Sequence, residues 1–566
     1  MVRPMTETQA KNLLAKFGVS VASGVECDSA ERALEAVGKL GYPVVLKVSH
    51  PKLIHKSDLG GVVLGIENAA DLTIEAQRLL SLAEGALLRV ERQAKPGGLD
   101  LICGMKRDSV FGPVIMVGIG GIFAETLDDT SVHVGELDLP QALAMIDRLR
   151  ARPMIDGARG FAPLDKPAAA NTLLALSKIA KTRLDISELD INPLRVYENG
   201  VIALDALALT EDNAKTTFSA PSLPPFQRVD KFFNPRSVAV VGPSTTAKRA
   251  GNIIIQNMKT LGYAGGIYPV NPAGGEIEGL RAYCSISECP KPLDLAVLAL
   301  PFHQVEKVIK EVAEVGTKHA IVVSGGFSDA GPDGEKREQE ILELCRDAGI
   351  NLMGPNSIGT VDAHSGFCTS IGLLPPMKPS GISIFGQSGT FSTGFALEEI
   401  TSRDRGFSKI ACMGNKADID ESDFLEYFAL DEQTNVIGVY IESVKDGPRF
   451  MRAACAASTK KPVIVLKSGR TEIGARAAAS HTGALAGSDR IYDAVFQQTG
   501  MRRVGDFEEF FNLARAFDMC PLPRGKRIGV VSITGVGCVL AADACGMTGM
   551  EMADLTSKTK EGLRQL

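Results

Sequence analysis

The stretch "SVAVVGPSTTAKRAGN" (residues 237–252) runs from an apolar strand through a glycine-containing loop into a helix start. That order holds phosphate on backbone N–H groups at a helix N-terminus. Neither a strict GxGxxG nor a GxxxxGK[ST] is present, so the stretch points to a nucleotide-like ligand without naming one. Outward from it the pattern repeats. A helical "AGNIIIQNMKTLG" leads to "GGIYPVNP", then "LDLAVLALP", the helical "HQVEKVIKEVAEVG", "HAIVVSGGF", a charged helix and "INLMGPN". Strands alternating with helices through short loops predict a parallel, doubly wound sheet.

The pattern restarts at "GISIFGQSG" (381–389), continues through "VIGVYIES" and "KPVIVLKSG", and starts a third time at "RIGVVSITGVG" (527–537). Two of these turns, 382–399 and 528–545, pass through small hydroxyl and glycine residues into a helix. Each N-terminus would present free amides and a positive dipole end. Two such ends facing one point would bind a transient phosphoryl group.

Residues 1–215 read differently. Thr6 and Gln9 have capping-box spacing, and Ala10, Leu13, Leu14 and Phe17 form one apolar face, which predicts an opening helix and not a signal peptide. After it strands predominate: "YPVVLKVS", "GGVVLGI", "ALLRVERQA", "LDLICGMKRD" and "PVIMVGIGG". These predict an antiparallel or mixed sheet with helices outside. Lys47 stands within an apolar strand, which is costly unless its ammonium meets an anion. A loop then carries His50, His55 and Lys56 and ends in Gly60-Gly61, a combination suited to a triphosphate. At the other end of the unit, "ELDINPLRVYENGVIALDALAL" (188–209) predicts a hairpin turning at "ENG". Its Asp190, Asn192 and Asp205 would supply the oxygen ligands that nucleotide-bound Mg²⁺ requires.

Chain-wide properties set limits. A 566-residue chain exceeds one core and suggests several domains. A net charge of −6 gives no electrostatic case for nucleic acid or a membrane surface, and no apolar run reaches 18 residues. Eleven cysteines without a CxxC pair predict reduced thiols and a cytoplasmic protein. Breaks fall at the Ser- and Pro-rich 216–230, near 373–381, and at "MCPLPRGKR" (519–527).

The chain has seven histidines, and one of them lies in "AAASHTGALAGSD" (477–489). A phosphoryl carrier needs a nucleophilic imidazole, room for PO₃²⁻ and an acid on the other ring nitrogen. The small neighbours of His481 leave that room. Glu442, ending the strand "VIGVYIES", is the candidate acid.

Together these motifs resemble the ADP-forming (NDP-forming) acyl-CoA synthetases, relatives of succinyl-CoA synthetase, over essentially the whole chain. The resemblance rests on "HKSDLGGV", "FGPVIMVGIGGIFAE", "ELDINPL", "IYPVNP", "GNKADIDESDFLEYF", "IESVKDGPRF" and "SHTGALAGSDRIYDAVFQQTG". It implies a multi-domain α/β protein: an α+β ATP-grasp domain at 1–215, a linker at 216–230, and a Rossmann-like CoA-binding domain at 231–370. A flavodoxin-like ligase domain with the phosphohistidine loop would follow at 380–518, and an apparently truncated further one at 527–566. It implies the reaction carboxylic acid + ATP + CoA = acyl-CoA + ADP + phosphate, with Mg²⁺, through an acyl phosphate and a phosphohistidine. The acid would be acetate-like or an aryl acid, and the assembly a homodimer.

By the same resemblance His481 is the phosphorylated histidine, Glu442 the acid that steadies it, and His55 a second histidine that ferries phosphoryl towards the nucleotide. Lys47, Gly60, Gly61 and Glu91 match nucleotide-binding positions, the last at the adenine hinge, and Asn192 and Asp205 match Mg²⁺ ligands. Gly242, Ser244, Lys248 and Asn271 fall where the nucleotide part of CoA is held. Asn356 would border the acyl pocket, and the helix starts at Gln387, Ser388, Gly389 and at Gly535, Gly537 would receive the phosphate. The sequence departs from the pattern at Ser357, where many relatives carry cysteine, and at His133, where an arginine is expected. Alternatives are a CoA-dependent lyase using the same activation chemistry, and a non-catalytic acyl-CoA or nucleotide sensor.

Overall fold

The computed structural model describes residues 2–50, 53, 56, 59–121, 129–160, 162–211, 225–244, 249–471, 473–474 and 488–565. His55, Lys248 and His481 lie outside them.

The N-terminal unit holds two antiparallel sheets. It begins with β1 (Val2–Pro4) and α1 (Glu7–Lys16). The capping box forms as the sequence predicts: Gln9 N donates to Thr6 Oγ1 (3.2 Å) and Thr6 N to Gln9 Oε1 (2.9 Å). A small four-stranded sheet follows, made of β2 (Gly24–Cys27), β3 (Val44–Ser49), β4 (Val62–Ile66) and β5 (Leu87–Arg92) in the order β2-β5-β3-β4. Helices α2 (Ala30–Leu40) and α3 (Ala69–Leu80) cover one face of it.

The larger sheet contains β6 (Leu99–Asp108), β7 (Gly112–Ile119), β8 (Thr130–Val134), β9 (Ile186–Val196), β10 (Val201–Ala203) and β11 (Ala206–Glu211). Its order is β1-β11-β9-β6-β7-β8, with β10 paired to β9. The β9–β10 hairpin turns at Glu198–Gly200, where the sequence predicts it. Helices Leu139–Asp147 and Lys166–Thr182 and the apolar face of α1 pack on this sheet.

The second unit is a five-stranded parallel sheet. It contains β12 (Ser237–Val241), β13 (Gly266–Val270), β16 (Leu295–Leu298), β17 (His319–Val322) and β18 (Asn351–Met353) in the order β13-β12-β16-β17-β18; β14 (Glu276–Ile277) and β15 (Leu280–Arg281) form a side hairpin. Every residue of β12, β16 and β17 is buried. That explains their near-continuous apolar runs, since both faces are covered by helices.

The third sheet contains β19 (Gly359–Asp362), β20 (Phe367–Cys368), β21 (Ile382–Gly386), β22 (Lys409–Cys412), β23 (Val436–Ile441), β24 (Val463–Lys467) and β25 (Arg502–Arg503). Its order is β20-β19-β22-β21-β23-β24-β25. Here the structure differs from the expected boundary. Residues 359–368, placed by sequence in the second unit, instead extend the third sheet, because β19 pairs antiparallel with β22. One apolar core runs through both parallel sheets and takes in Phe111, Val114 and Val134 of the N-terminal unit.

The expected linker is more than a spacer at its end. Residues 225–229 form a short helix whose buried Arg228 donates to Asp423 (2.9 Å) and Asp418 (3.0 Å). Beyond residue 525, β26 (Arg527–Ile528) and β27 (Glu551–Met552) pair in parallel around helix Gly535–Met547. Val531, Ile533 and Val536 there are exposed. At the helix start there Gly535 is exposed and Gly537 half-buried, and Thr534 Oγ1 accepts from Gly537 N (3.2 Å).

Candidate functional site

Three groups of side chains answer to the sequence reading. The first is a cavity of about 270 Å³ between the two N-terminal sheets. Its lining includes Glu7 from α1, Ser49, His50 and Lys56 from the loop after β3, and Asp190, Asn192 and Asp205 from β9 and the chain into β11. Asn192 N donates to Asp205 O (3.3 Å), so the two candidate metal ligands are adjacent across the ladder. Burial and then the neighbouring Glu188 raise the Asp190 carboxyl to about 6. Burial, reinforced by Glu7, raises Asp205 as well.

Lys47 and Glu91 do not line that cavity. The Lys47 ammonium meets carboxylates, Glu7 at 2.9 Å and Glu91 at 3.0 Å, and donates to Leu204 O (2.5 Å). Glu91 also holds Lys11 (2.5 Å) and Arg89 (2.5 Å), so its side chain belongs to a buried ion cluster. Gly60 and Gly61 shape the loop. Gly60 has φ +62°, and a Cβ on Gly61 would come within 2.7 Å of Val48 Cγ1.

Sequence reading missed the hub of this cluster. Glu7 binds Lys11 (2.8 Å), Lys47 and Lys56 (2.5 Å), while Lys56 reaches Asp205 at 3.8 Å. Burial alone would raise the Glu7 carboxyl; the ammonium groups of Lys47, Lys11 and Lys56 outweigh it and hold it well below the usual carboxylate range. The i,i+4 spacing of Glu7 and Lys11 was the available signal, but it reads equally as a surface helix pair.

The second group lies at the carboxyl edge of β12 and β13. Gly242 has φ +104°, and a Cβ there would sit 2.3 Å from Ala299 O. Ser244 N donates to Asn252 Oδ1 (3.0 Å), and Asn271 Nδ2 donates to Pro243 O (2.7 Å). Gly242, Ser244 and Asn271 are thus brought together beside helix Ala250–Thr260, which has no side-chain cap.

The third group is the carboxyl edge of β21 and β23. Gln387 Oε1 accepts from Glu442 N (2.7 Å) and Ser443 N (2.9 Å), clamping the two loops together. After Ser388 and Gly389 the chain enters a wide, π-type turn, Thr390–Phe395. Glu442 is only 6% exposed. Its Oε1 accepts from Tyr440 Oη (3.3 Å), while its Oε2 is buried with no partner among the described residues. A buried carboxylate oxygen without a donor is costly, and such an orphan marks a place prepared for one.

Asn356 takes a left-handed φ of 57° and is exposed, bonding only weakly to Asn415 (3.4 Å). Ser357 instead faces inward: its Oγ donates to Cys412 O (2.6 Å) and accepts from Gly359 N (2.9 Å). His133 is buried on β8 and bonded to Glu136 O (3.0 Å), with burial lowering its pKa, so it is a packed imidazole.

Family models match three segments: an ATP-grasp domain over residues 3–208, a CoA binding domain over 236–363, and a succinyl-CoA ligase like flavodoxin domain over 379–517. The chain is thus a composite α/β protein in which an ATP-grasp unit precedes CoA-binding and ligase-like units. Acetate–CoA ligase [ADP-forming] II of Archaeoglobus fulgidus is 36% identical over 564 residues, 99% of this chain and 82% of that one. The 4-hydroxybutyrate–CoA ligase [ADP-forming] of Nitrosopumilus maritimus is 36% identical over 58% of this chain and 47% of its own length. A solved dinucleotide-forming acetyl-coenzyme A synthetase 1 of Ca. Korarchaeum cryptofilum, in complex with phosphate and ADP, superimposes with a TM-score of 0.55. It shares 34% identity over 58% of this chain and 70% of that one. The chain belongs to the ADP-forming acyl-CoA synthetases, which are acid–thiol ligases. Among the described residues no helix is long and apolar enough to cross a membrane.

Proposed function

We propose that the protein joins a carboxylic acid to CoA with ATP, releasing ADP and phosphate, through a phosphohistidine at His481 and an acyl phosphate. The observation that carries this reading is Glu442, a buried carboxylate at a sheet edge whose Oε2 lacks a donor among the described residues. An imidazole N–H is the donor it suits, and the bond would leave the other ring nitrogen basic and nucleophilic. His481 attacks the terminal phosphorus of ATP and ADP leaves. The acid's carboxylate then takes the phosphoryl group from the imidazole, and the CoA thiolate displaces phosphate from the acyl phosphate.

Asn192 and Asp205 fit Mg²⁺ in chemistry: hard oxygen donors in a cavity beside Lys56 and His50. Among the described residues no three His, Cys, Asp or Glu side chains gather as a metal cage. Two oxygen donors would suit Mg²⁺, which when bound with the nucleotide would be held by Asn192 and Asp205. The ion supplies charge neutralisation of the phosphates. Lys56, paired with Glu7 (2.5 Å) and near Asp205 (3.8 Å), adds a positive charge. CoA is taken by the edge at Gly242, Ser244 and Asn271. Relatives named for acetate and 4-hydroxybutyrate support a short carboxylic acid as substrate.

The test is a panel of carboxylic acids with ATP and CoA, following ADP release, run on the protein and on His481→Ala. The variant is expected to bind CoA normally and to form no acyl-CoA. Retained turnover in it would falsify the phosphohistidine, and AMP with pyrophosphate as products would reject the reaction itself.

A further inference from the structure

The N-terminal unit and the third sheet meet along one seam, and its register is informative. Helix Asp489–Thr499 lies along β8, the edge strand of the larger N-terminal sheet. At its far end Gln498 caps that edge: Val134 N donates to its Oε1 (2.9 Å) and its Nε2 donates to Val134 O (3.0 Å). At its near end Arg490 donates to Thr130 Oγ1 (3.1 Å). Eight helical residues rise about 12 Å, and the four strand steps from Thr130 to Val134 cover about 13 Å. Helix and strand therefore run side by side at matched pitch. The seam between them is apolar and close: Phe111 meets Tyr492 edge-on at 5.2 Å, both buried, and Gly447 N donates to Val110 O (3.2 Å).

The row that starts at Thr130 leads to the cavity. Thr130 pairs with Gly118 on β7, Gly118 pairs with Ile102 on β6, and Ile102 lines the cavity. On β9, Leu194 and Ile191 pair on either side of Ile102, which sets Asn192 at the end of the same row. Three strand spacings, roughly 14 Å, separate Thr130, which Arg490 of the helix start contacts, from the β9 row that carries Asn192. In the sequence His481 precedes Ser488 by seven residues, a length that extends to at most about 24 Å.

We infer that this seam is a positioning device: it sets the helix following the phosphoryl carrier in register with the nucleotide cavity, so Gln498, Arg490 and Gly447 govern phosphoryl transfer from ATP and not transfer at the acyl side. The inference rests on the His481 reading above. It follows because the acyl side and the helix after the carrier both belong to the second and third units, whereas the cavity lies in the N-terminal unit, across the seam. Small displacements of reacting groups cost rate steeply.

The two half-reactions separate these roles. Phosphoenzyme formation is followed by rapid quench with [γ-³²P]ATP and Mg²⁺ in one arm. In the other, [³²P]phosphate is given with acetyl-CoA, 4-hydroxybutyryl-CoA or feruloyl-CoA, read with whichever labels the unsubstituted protein most. Gln498→Ala removes the strand cap without adding bulk. Gly447→Ala wedges the seam, because a Cβ there would lie 2.5 Å from Val110 O and from Phe111 Cδ1. Both variants are expected to lose at least tenfold in the ATP arm while staying within twofold in the acyl-CoA arm. Gln498→Ala with an unchanged melting temperature decides the matter: an ATP arm equal to the unsubstituted protein, or equal losses in both arms, overturns the seam. If the unsubstituted protein is labelled by neither donor, the phosphohistidine reading fails and takes the seam with it.

Discussion

The surroundings of the N-terminal cavity and the carboxyl edge of the third sheet both bury carboxylates, but they treat them in opposite ways. Beside the cavity a cluster of buried charges answer one another: Glu7 holds three lysines, and Glu91 holds Lys11, Lys47 and Arg89. At the sheet edge one oxygen of Glu442 has no partner among the described residues. The first arrangement maintains a shape and a fixed supply of positive charge. The second, on the phosphohistidine reading proposed above, is set for a proton-bearing partner that comes and goes. A mutation at a fully answered charge should therefore damage the fold, and one at an unanswered charge should damage the chemistry.

The strongest test of that contrast is Glu442→Gln. A side chain of nearly the same shape keeps the packing but loses the negative charge that would hold an imidazole N–H. Turnover and phosphoenzyme yield are expected to fall by about 10³-fold, the range set by a positioned acid–base partner. Melting temperature should hold or rise slightly, because the lost oxygen had no bond to break. A marked fall in stability would place Glu442 in the same class as Glu7 and end the contrast.

Glu7→Gln should behave in the other way. Breaking one member of a buried ion cluster leaves uncompensated charge and is expected to cost about 3 kcal/mol, read from the urea midpoint. The sign with pH follows from the direction of the shift. The Glu7 carboxyl is held low in the folded chain, so its stabilisation is complete above the unfolded value of about 4.3 and is lost as pH falls towards the depressed folded value. The gap between the two proteins should be constant from pH 6 to 8 and narrow below about pH 4.3. A gap that widened in acid would mean that the carboxylate is not held low.

Much of this was legible in the sequence, and the reason differs by region. Strand order along 237–353 follows from apolar runs separated by helical periods, since both sheet faces are buried. The β9–β10 hairpin was visible because Glu198–Gly200 is a local turn signal. What was hidden is long-range. Nothing local distinguishes Glu7 from a surface helix acid; its role appears only when β3 and β5 bring Lys47, Arg89 and Glu91 under α1. The same limit misplaced residues 359–368, whose partner strand lies some 50 residues further on. Lys47 was recognised as needing an anion, and in the structure the carboxylates of Glu7 and Glu91 meet its ammonium.

Ser357 brings the contrast into the sheet edge itself. It sits among the loops that carry Asn356 and Gln387, where a role towards the acyl group might be sought, yet its hydroxyl is turned inward and doubly bonded, to Cys412 O at 2.6 Å and from Gly359 N at 2.9 Å. It belongs with the answered groups. Ser357→Ala would leave a buried carbonyl and a buried N–H without a partner, a cost of about 1–2 kcal/mol in the urea midpoint. The acyl pocket would be untouched, so KM for the acid should stay within twofold of the unsubstituted protein. A shift in KM larger than the shift in stability would turn the hydroxyl towards substrate, and would show that neighbouring loops at this edge share the exposure of Asn356 more than the packing of Glu7.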